Sequence, residues 1–437
     1  MKIITKKSIF CFFIMVTIMF TMLFGAYAAE PDLSALTSKH ALVLNIDTGV
    51  KLHAVNENEP VFCGFLPRMM TVALMLDSGK NLNDEMTITP DIISKTPQIS
   101  SANLKKGDTV SLYDLCVAAL IANSQEATVA LATYLGGDVE TFLTTLNAKA
   151  TELGCTSTNF TNVHGYYRDG NKNTTLSDAA TLIKYAVSIG DYLQIANTTY
   201  AKITVSGKQR ELYTRNSITI KTSDYYIPNI QAIGVSSDSR IGAACAGMMT
   251  DNDMRLVSIA VTDKSAGNVF SDIKLLSSFA AEEYTTKTVI EKGAAIDEIP
   301  VRLGKGRDSV VLISDGSIDI TIPKSTPDDK IEYVYNLPEN LTAPVTKGDL
   351  CGTLTIQCEG VVFSTVNLLA QTSVEKDIIA SFTEALNSFF SNAIVWICLA
   401  VIVLFVIIYT IILFYINRGN MKKKKNKNQE RVKIDID

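Results

Sequence analysis

The chain has 437 residues, of which 47% are hydrophobic and 19% are charged, and its formal net charge at pH 7 is −5. These values exclude a chain that is mostly disordered and leave room for two or three globular domains with added membrane segments. The sequence contains only three histidines, His40, His53 and His164, and no paired spacing of metal ligands. We therefore expect no metal site, no cofactor and no nucleic-acid partner.

Residues 1–28 have the composition of a secretory signal. Lys2, Lys6 and Lys7 precede an apolar run from Ile9 to Phe24, and the small-residue segment Ala26-Tyr27-Ala28 follows. This order predicts cleavage before Ala29. Because the apolar run is slightly long for a signal peptide, an uncleaved membrane anchor is the alternative.

Residues 29–285 are predicted to form a first domain that mixes helices and strands. A β-hairpin is predicted over residues 41–53, with its turn at Asp47-Thr48-Gly49. The remaining periodicity predicts helices at 67–78, 113–134, 139–153, 176–189 and 271–284, a polar loop at 154–175 and short strands within 200–261. The helix over 113–134 is rich in Ala and Leu, which predicts that the domain buries it.

The remainder of the chain predicts a second domain and a membrane anchor. Residues 286–373 contain short strand patterns separated by Gly, Pro and Asp, which indicate a small all-β domain. Residues 374–392 carry apolar side chains at helical spacing, which predicts an amphipathic stalk: Ile378, Ile379, Phe382, Leu386 and Phe389. Residues 393–416 contain no charged residue and are long enough to span a bilayer as a helix.

The residues around this span predict its orientation. Trp396 lies near the start of the span, and Tyr409 and Tyr415 lie near its end, where aromatic side chains favour the membrane interfaces. Residues 417–437 are rich in Lys and Arg, which places this tail in the cytoplasm. Contact of the tail with anionic lipid is a second use of the same charge. The sequence therefore predicts a single-pass protein of the cell membrane whose domains lie outside the cytoplasm.

Six cysteines lie between the predicted signal and the predicted span, and they would permit disulfides: Cys63, Cys116, Cys155, Cys245, Cys351 and Cys358. Most of them occur in apolar runs, which favours buried free thiols. Cys351 and Cys358 are separated by an odd number of residues in a strand-like stretch, so they are predicted to point to opposite faces.

Several motifs in a fixed order resemble those of the D-alanyl-D-alanine carboxypeptidases. These motifs are Asp47-Thr48-Gly49, Asn56, Met70-Thr71, Asn147-Ala148-Lys149-Ala150, Glu152-Leu153-Gly154, the loop Thr158 to Gly165, Thr174-Thr175, Asp178, and Ala343 to Gly348. Members of that family are low-molecular-weight penicillin-binding proteins, which trim the last D-alanine from peptidoglycan stem peptides. The resemblance implies an α+β, β-lactamase-like first domain with an antiparallel sheet and helices, followed by a small all-β domain and the C-terminal transmembrane helix.

The family uses three catalytic motifs, and this sequence departs from all of them. Ser-x-x-Lys supplies a nucleophile and its base, Ser-x-Asn relays protons, and Lys-Thr-Gly binds the substrate carboxylate and lines the oxyanion site. Alignment on the retained neighbours gives the corresponding positions, which are Phe65 and Arg68 in the first motif, Asn123 and Gln125 in the second, and Gly234, Val235 and Ser236 in the third.

The first of these departures removes the nucleophile. Phe65 has no heteroatom, and Arg68 stays protonated at any workable pH, so neither can replace a serine with its lysine base. We therefore predict a pseudoenzyme linked to peptidoglycan metabolism that binds wall stem peptides or an envelope protein without cleaving them.

Two alternatives remain open. In the first, the protein is an active but divergent serine-type carboxypeptidase with relocated chemistry at Ser124, Cys63 or Lys221. Against it, Ser124 would point about 100° away from Asn123 on a continuous helix, Cys63 is predicted to lie in the core, and Lys221 precedes the expected strand. In the second, the protein is a structural or interaction protein of the envelope whose cleft has collapsed around Phe65.

Three residues are possible cleft residues: Arg68, Gln125 and His164. Arg68 either holds a peptide carboxylate by a bidentate contact or pairs with a nearby Asp or Glu. His164 either polarises the cleft near pH 7 or satisfies backbone groups in a structural turn with Asn162 and Gly165.

Overall fold

The structure is a computed structural model that describes residues 33–97, 102–168, 172–358 and 360–434, so the predicted signal lies outside the described residues. The chain divides into two compact units. One comprises the chain up to Val289 together with Asp319–Ile331, and the other comprises Ile290–Ile318 together with the chain from Glu332 onward. The sequence predicted a boundary after residue 285. In the structure the first unit extends to Val289 and also includes residues 319–331.

The first unit alternates strands and helices along the chain. Its elements are β1 (His40–Asn45), β2 (Lys51–Val55), α1 (Phe65–Asp77), β3 (Glu85–Thr87), α2 (Pro90–Ser94), β4 (Thr109–Ser111), α3 (Leu112–Ile121), α4 (Gln125–Gly136), α5 (Val139–Glu152), α6 (Leu176–Ser188), α7 (Tyr192–Ala196), β5 (Tyr200–Val205), β6 (Lys208–Tyr213), β7 (Ile230–Asp238), β8 (Gly242–Asp251), β9 (Met254–Thr262), α8 (Ala266–Glu283) and β10 (Tyr284–Ile290).

A five-stranded antiparallel sheet organises this unit in the order β2-β1-β9-β8-β7. Residues of β1, β8 and β9 alternate between two buried apolar clusters, as Leu42 and Val43 do. One cluster includes the apolar face of α8, and the other includes α1 and α3–α7. The sheet is therefore covered on both faces, and β7 is left as an edge strand. A second sheet, in the order β3-β4-β5-β6, completes the unit.

The sequence analysis was wrong about a continuous helix over 113–134. The structure has two helices, α3 and α4, with a break at residues 122–124. Asn123 adopts φ of 54°, a left-handed conformation that ends a helix. Ser124 is extended, and its Oγ accepts a hydrogen bond from Ala127 N at 3.1 Å, so it is the N-cap of α4. The expected 100° angle between these two side chains on one helix therefore does not apply.

Most other elements predicted for the first unit are confirmed. The hairpin over 41–53 corresponds to β1 and β2, and the helices predicted at 67–78, 139–153 and 176–189 correspond to α1, α5 and α6. Helix α8 begins at Ala266, five residues before the predicted start, and the extended residue Ser265 precedes it. Three of the strands within 200–262 are longer than the sequence suggested, since β7, β8 and β9 each have nine or ten residues.

The second unit is rich in β-strands, as the sequence predicted. Its strands are β11 (Ala295–Arg302), β12 (Ser309–Ser314), β14 (Ile331–Asn336), β15 (Leu341–Thr342), β16 (Leu350–Cys358) and β17 (Val361–Ala370). They form a six-stranded sheet in the order β14-β16-β17-β12-β11-β15. Strand β13 (Ile318–Pro323), between β12 and β14 in the chain, pairs with β10 instead.

The cysteines in the described part of the chain are all free thiols, as the sequence favoured for buried positions. The six cysteines between residues 63 and 358 are buried and form no disulfide in the described part of the chain. Cys351 and Cys358 were expected on opposite faces of a strand, but both are buried. The register of β16 is irregular between Leu350 and Gly352, which shifts the alternation of its side chains.

Two helices end the described chain. Helix α9 (Ile378–Ser391) coincides with the predicted stalk, and its apolar residues Ile378, Ile379 and Phe382 are exposed. Helix α10 (Ala393–Ile434) includes Ala393–Arg418, which by length and composition can cross a membrane. No part of that segment's most apolar stretch is buried within the protein.

Candidate functional site

A cavity of about 440 Å³ lies beside the edge strand β7 in the first unit. The N-terminal turn of α1, the break between α3 and α4, and the loop around Gly165 meet there. Five of the seven residues that the resemblance places at the motif positions line this cavity: Arg68, Asn123, Gln125, Val235 and Ser236. Three segments that are distant in sequence therefore converge on this cavity, and Phe65 is not among the residues that line it.

The other two motif positions, Phe65 and Gly234, pack against each other. Phe65 begins α1 and is 2% exposed. A Cβ atom at Gly234 would lie 2.5 Å from Phe65 Cδ2, so only glycine fits beside this ring. The phenyl ring fills the space that a side chain at position 234 would need.

Arg68 lies one turn further along α1, with a side chain that is buried and fully charged. Its Nη1 donates to the carbonyl oxygens of Gly64 and His164, each at 3.0 Å, and its Nη2 donates to Val235 O at 2.9 Å. Burial lowers the pKa of Arg68 to about 10, which still leaves the guanidinium protonated at neutral pH. The expected pairing with Asp or Glu is absent from the described residues, because main-chain carbonyls take that place.

The break between α3 and α4 directs the side chain of Asn123 into the cleft and turns the side chain of Ser124 away from it. Asn123 lines the cavity and donates from Nδ2 to Val235 O at 3.2 Å. Ser124 is fully buried, its Oγ donates to Glu126 Oε2 at 2.9 Å, and it accepts the capping hydrogen bond from Ala127 N. Ser124 does not line the cavity, so it is not placed to attack a substrate there.

The other two candidates for relocated chemistry are also outside the cavity. Cys63 is fully buried, and burial raises the pKa of its thiol to about 12, so the reactive thiolate is negligible at neutral pH. Lys221 is exposed and precedes β7 by several residues. Neither residue is among those that line the cleft.

His164 belongs to a tight turn beside the cleft. Its Nδ1 accepts a hydrogen bond from Tyr166 N at 3.1 Å, and Asn162 Oδ1 accepts one from Gly165 N at 2.7 Å. Burial, and then the charges of Arg68 and Arg168, lower the pKa of His164 to about 4. The imidazole is therefore neutral at pH 7 and acts as an acceptor within the turn.

Several of the retained motif residues hold the scaffold together. Asn147 accepts from Phe160 N at 2.7 Å and donates to Phe160 O at 2.9 Å. Asp178 accepts from Ser157 N at 2.8 Å and from Thr158 Oγ1 at 2.9 Å. These contacts connect the loop to α5 and α6. Asn147 and Asp178 therefore each have a structural role in holding this loop.

Sequence reasoning missed several residues of the cleft. Phe62, Tyr166, Arg215 and Asp238 line the cavity, and Asp238 pairs with Arg240 at 2.7 Å. The guanidinium of Arg240 lies 5.0 Å from the centre of the Tyr166 ring. None of these residues belongs to a short local motif, because the cleft wall is assembled from separate loops and strands.

Comparison with known proteins identifies the scaffold. The family model described as D-alanyl-D-alanine carboxypeptidase matches residues 26–265, and the model described as penicillin-binding protein 5, C-terminal domain, matches residues 284–376. The chain belongs to the D-alanyl-D-alanine carboxypeptidase family. Its first unit has the penicillin-binding, β-lactamase-like fold, and its second unit contains the all-β domain of that family, as the sequence predicted.

Individual relatives support the same assignment. The chain is 27% identical to D-alanyl-D-alanine carboxypeptidase DacC of Escherichia coli K12 over 368 residues, covering 80% of this chain and 88% of that protein. It is 27% identical to DacA of Haemophilus influenzae over 350 residues, covering 78% and 86%. The structure of penicillin-binding protein 5 from Haemophilus influenzae has a TM-score of 0.68 and 26% identity, and the match covers 78% of this chain and 98% of that one. The homology connects the chain to cell-wall metabolism.

Proposed function

We propose that this protein is a membrane-anchored, catalytically inactive member of the carboxypeptidase family that binds cell-wall peptides ending in D-alanine. One observation supports the proposal: a cavity lies beside β7, and the residues that the resemblance places at the nucleophile and base positions are Phe65 and Arg68. A covalent acyl transfer needs a nucleophile beside a group that can accept its proton, and this pair supplies neither.

The proposed location follows from the ends of the chain. Helix α10 anchors the protein in the cell membrane, the two folded units lie outside the cytoplasm and the basic tail lies inside. Such a protein is held next to the wall, where peptides ending in D-alanine are presented. A peptide-binding protein at this position recognises the state of the wall or brings a partner to it.

The experiment that tests inactivity uses the full-length protein in detergent micelles. It is incubated with a fluorescent penicillin and, separately, with a peptide ending in D-Ala-D-Ala, beside penicillin-binding protein 5 from Haemophilus influenzae as the active control. We expect no covalent band and no release of D-alanine, because losing a whole catalytic unit leaves only about 10³–10⁴ of rate enhancement over water.

Two results would contradict the proposal. A covalent band would show that a nucleophile survives, and peptide mapping would identify it. Steady-state release of D-alanine that disappears in Ser124→Ala would establish the divergent carboxypeptidase instead. Failure of any D-alanine peptide to bind, with the protein folded, would leave the envelope interaction protein as the remaining interpretation.

A further inference from the structure

Arg68 is a buried positive charge that faces a ligand-sized cavity without a counter-ion among the described residues. Its side chain is 6% exposed, and no described carboxylate lies within ion-pair distance of it. Removing a cation from water is costly unless its hydrogen bonds are satisfied and its charge is compensated. The three carbonyl oxygens satisfy part of the hydrogen-bonding capacity of Arg68. Among the described residues, no carboxylate compensates its charge.

The guanidinium retains capacity for a ligand. It has five N–H groups, and the three hydrogen bonds to Gly64, His164 and Val235 use three of them. The three carbonyls also fix the orientation of the planar group, so little side-chain entropy is lost when an anion binds. A buried guanidinium whose orientation is already fixed is suited to bind a carboxylate.

The other charges of the cleft strengthen this preference. Arg215 lines the cavity as a second cation, Asp238 is already paired with Arg240, and His164 is neutral at pH 7. The charge of the described cavity wall is therefore positive in sum. An anionic group is favoured over a neutral one at this wall.

The position of Arg68 indicates which group of a peptide it meets. In an acyl-transfer enzyme, the nucleophile lies beside the carbonyl group that reacts, and the base lies within hydrogen-bond reach of the nucleophile. Phe65 and Arg68 replace this pair here, and the Arg68 guanidinium bridges α1 and β7 through Gly64 O and Val235 O. A peptide bound in the same way therefore places that carbonyl group beside Phe65 and next to the guanidinium. In an uncut peptide ending in D-Ala-D-Ala the group is a neutral amide. After the last residue has been removed it is a carboxylate.

We propose that Arg68 makes this protein selective for the trimmed peptide, which ends in a single D-alanine, over the uncut peptide ending in D-Ala-D-Ala. This inference rests on the proposed function and specifies its ligand. The protein then detects the product of carboxypeptidases instead of acting on their substrate. The class of reaction that supplies its ligand is hydrolysis of the terminal D-Ala-D-Ala bond.

The first test compares three ligands on the unmodified full-length protein in detergent, by calorimetry or by fluorescence anisotropy. The probes are diacetyl-L-Lys-D-Ala, the same peptide with a C-terminal amide, and diacetyl-L-Lys-D-Ala-D-Ala. The amide is matched to the first probe in size and differs in charge. We expect the acid to bind at least about tenfold more tightly than the amide and the uncut peptide, because a charge-assisted bidentate contact is lost in both.

The second test uses variants of Arg68. Arg68→Met removes the charge and is expected to abolish the preference for the acid, and Arg68→Lys is expected to retain much of it because a cation remains. Thermal unfolding verifies that each variant is folded. If Arg68→Met does not fold, the comparison of acid and amide on the unmodified protein still tests whether the cleft prefers a carboxylate, and Arg68→Lys tests whether Arg68 is responsible.

The outcomes separate this inference from the proposed function. Equal affinity for acid and amide, or tighter binding of the uncut peptide, overturns the selectivity proposed for Arg68 and leaves peptide binding intact. Absence of binding by all three probes overturns both proposals. A preference for the acid that persists unchanged in a folded Arg68→Met protein assigns the selectivity to another cation and overturns the role of Arg68.

Discussion

At the scale of single residues, the substitutions in the cleft are coupled by packing. The ring of Phe65 occupies the space into which a side chain at position 234 would extend. Glycine at position 234 has no side chain, so it does not clash with this ring. Arg68 and Asn123 both donate to Val235 O on the same strand. A change at either of these positions therefore alters the contacts of its neighbours.

The first prediction concerns the pair of Phe65 and Gly234. Gly234→Ala is expected to lower the free energy of unfolding by about 1–3 kcal/mol, because the added methyl overlaps the ring of Phe65. In a Phe65→Ala background the same change should cost much less. Denaturation of the four proteins in a double-mutant cycle measures the coupling.

A matched control is Gly190→Ala, since no atom lies within 4 Å of the position of a Cβ at Gly190. Its effect is expected to stay within about 0.5 kcal/mol. Additive effects of the changes at positions 65 and 234 would contradict the packing argument.

The second prediction concerns the protonation of His164. Its pKa is about 4 in the folded protein, and an unfolded histidine has a pKa near 6.5, so the unfolded chain binds the proton more readily between these values. The contribution of His164 to stability is thus fully present above about pH 6.5. It decreases as the pH falls towards 4, by about 3 kcal/mol in total.

Unfolding measured from pH 7 to pH 4 in the parent protein and in His164→Gln checks this expectation. The variant lacks the titrating ring, so its stability should fall less steeply over the same range. Carboxylates titrate in both proteins and cancel in the difference. Identical pH profiles would show that the ring is not held neutral by its surroundings.

At the scale of elements, the break between α3 and α4 shapes one wall of the cleft. A left-handed Asn123 ends the first helix, and Ser124 caps the second. Because the chain is not helical here, Asn123 reaches the edge of β7 while Ser124 is turned into the core. A continuous helix would have placed these side chains differently.

The third prediction follows from this cap. Ser124→Ala is expected to destabilise the protein by about 1–2 kcal/mol, because it removes the N-cap bond to Ala127 and the hydrogen bond to buried Glu126. Ser111→Ala removes the corresponding cap at the start of α3 and a side-chain hydrogen bond to Asp114, and it should cost less because Asp114 is less buried than Glu126. Thermal unfolding compares the two.

The same Ser124→Ala protein separates structure from chemistry. Its behaviour with fluorescent penicillin is expected to match that of the parent, because Ser124 does not line the cavity. A covalent label that is present in the parent and lost in this variant would make Ser124 a nucleophile.

At the scale of the whole molecule, the chain combines two folded units with a C-terminal helix that is apolar and exposed along Ala393–Arg418. Exposed apolar area of this extent is stable only in a lipid environment or in contact with other apolar surfaces. The protein is consequently expected to act at a membrane surface, beside the wall to which its homology connects it.

The fourth prediction concerns this anchor and its orientation. In bacterial cells whose outer layers have been removed, added protease should digest the folded units and leave a tag after Asp437 protected. Full-length protein should resist extraction by alkaline carbonate, and a variant that ends at Asn392 should be extracted. Digestion of the tag while the cell membrane is still sealed would indicate the opposite orientation. Extraction of the full-length protein by carbonate would argue against a membrane span.

Much of the fold could be predicted because it depends on patterns that are local in sequence. The alternation over β1 and β2, the periodicity of α1, α5 and α6, and the uninterrupted apolar segment after Ala393 each reflect which faces of one element are buried. The chemistry of two proposed motif positions was equally predictable from sequence, since Phe65 has no heteroatom and Arg68 stays protonated near neutral pH whatever surrounds them.

The remaining features were decided by the tertiary structure, because they depend on groups that are distant in the chain. The partners of Arg68 come from α1, from residue 164 and from β7, and the reason for glycine at 234 is a ring at position 65. Residue types alone determined which chemistry is missing. Only the packing of separate elements determined that a cavity lies beside β7 and that the Arg68 guanidinium faces it. The reason is that burial and hydrogen bonds between distant parts of the sequence form only when the chain is folded.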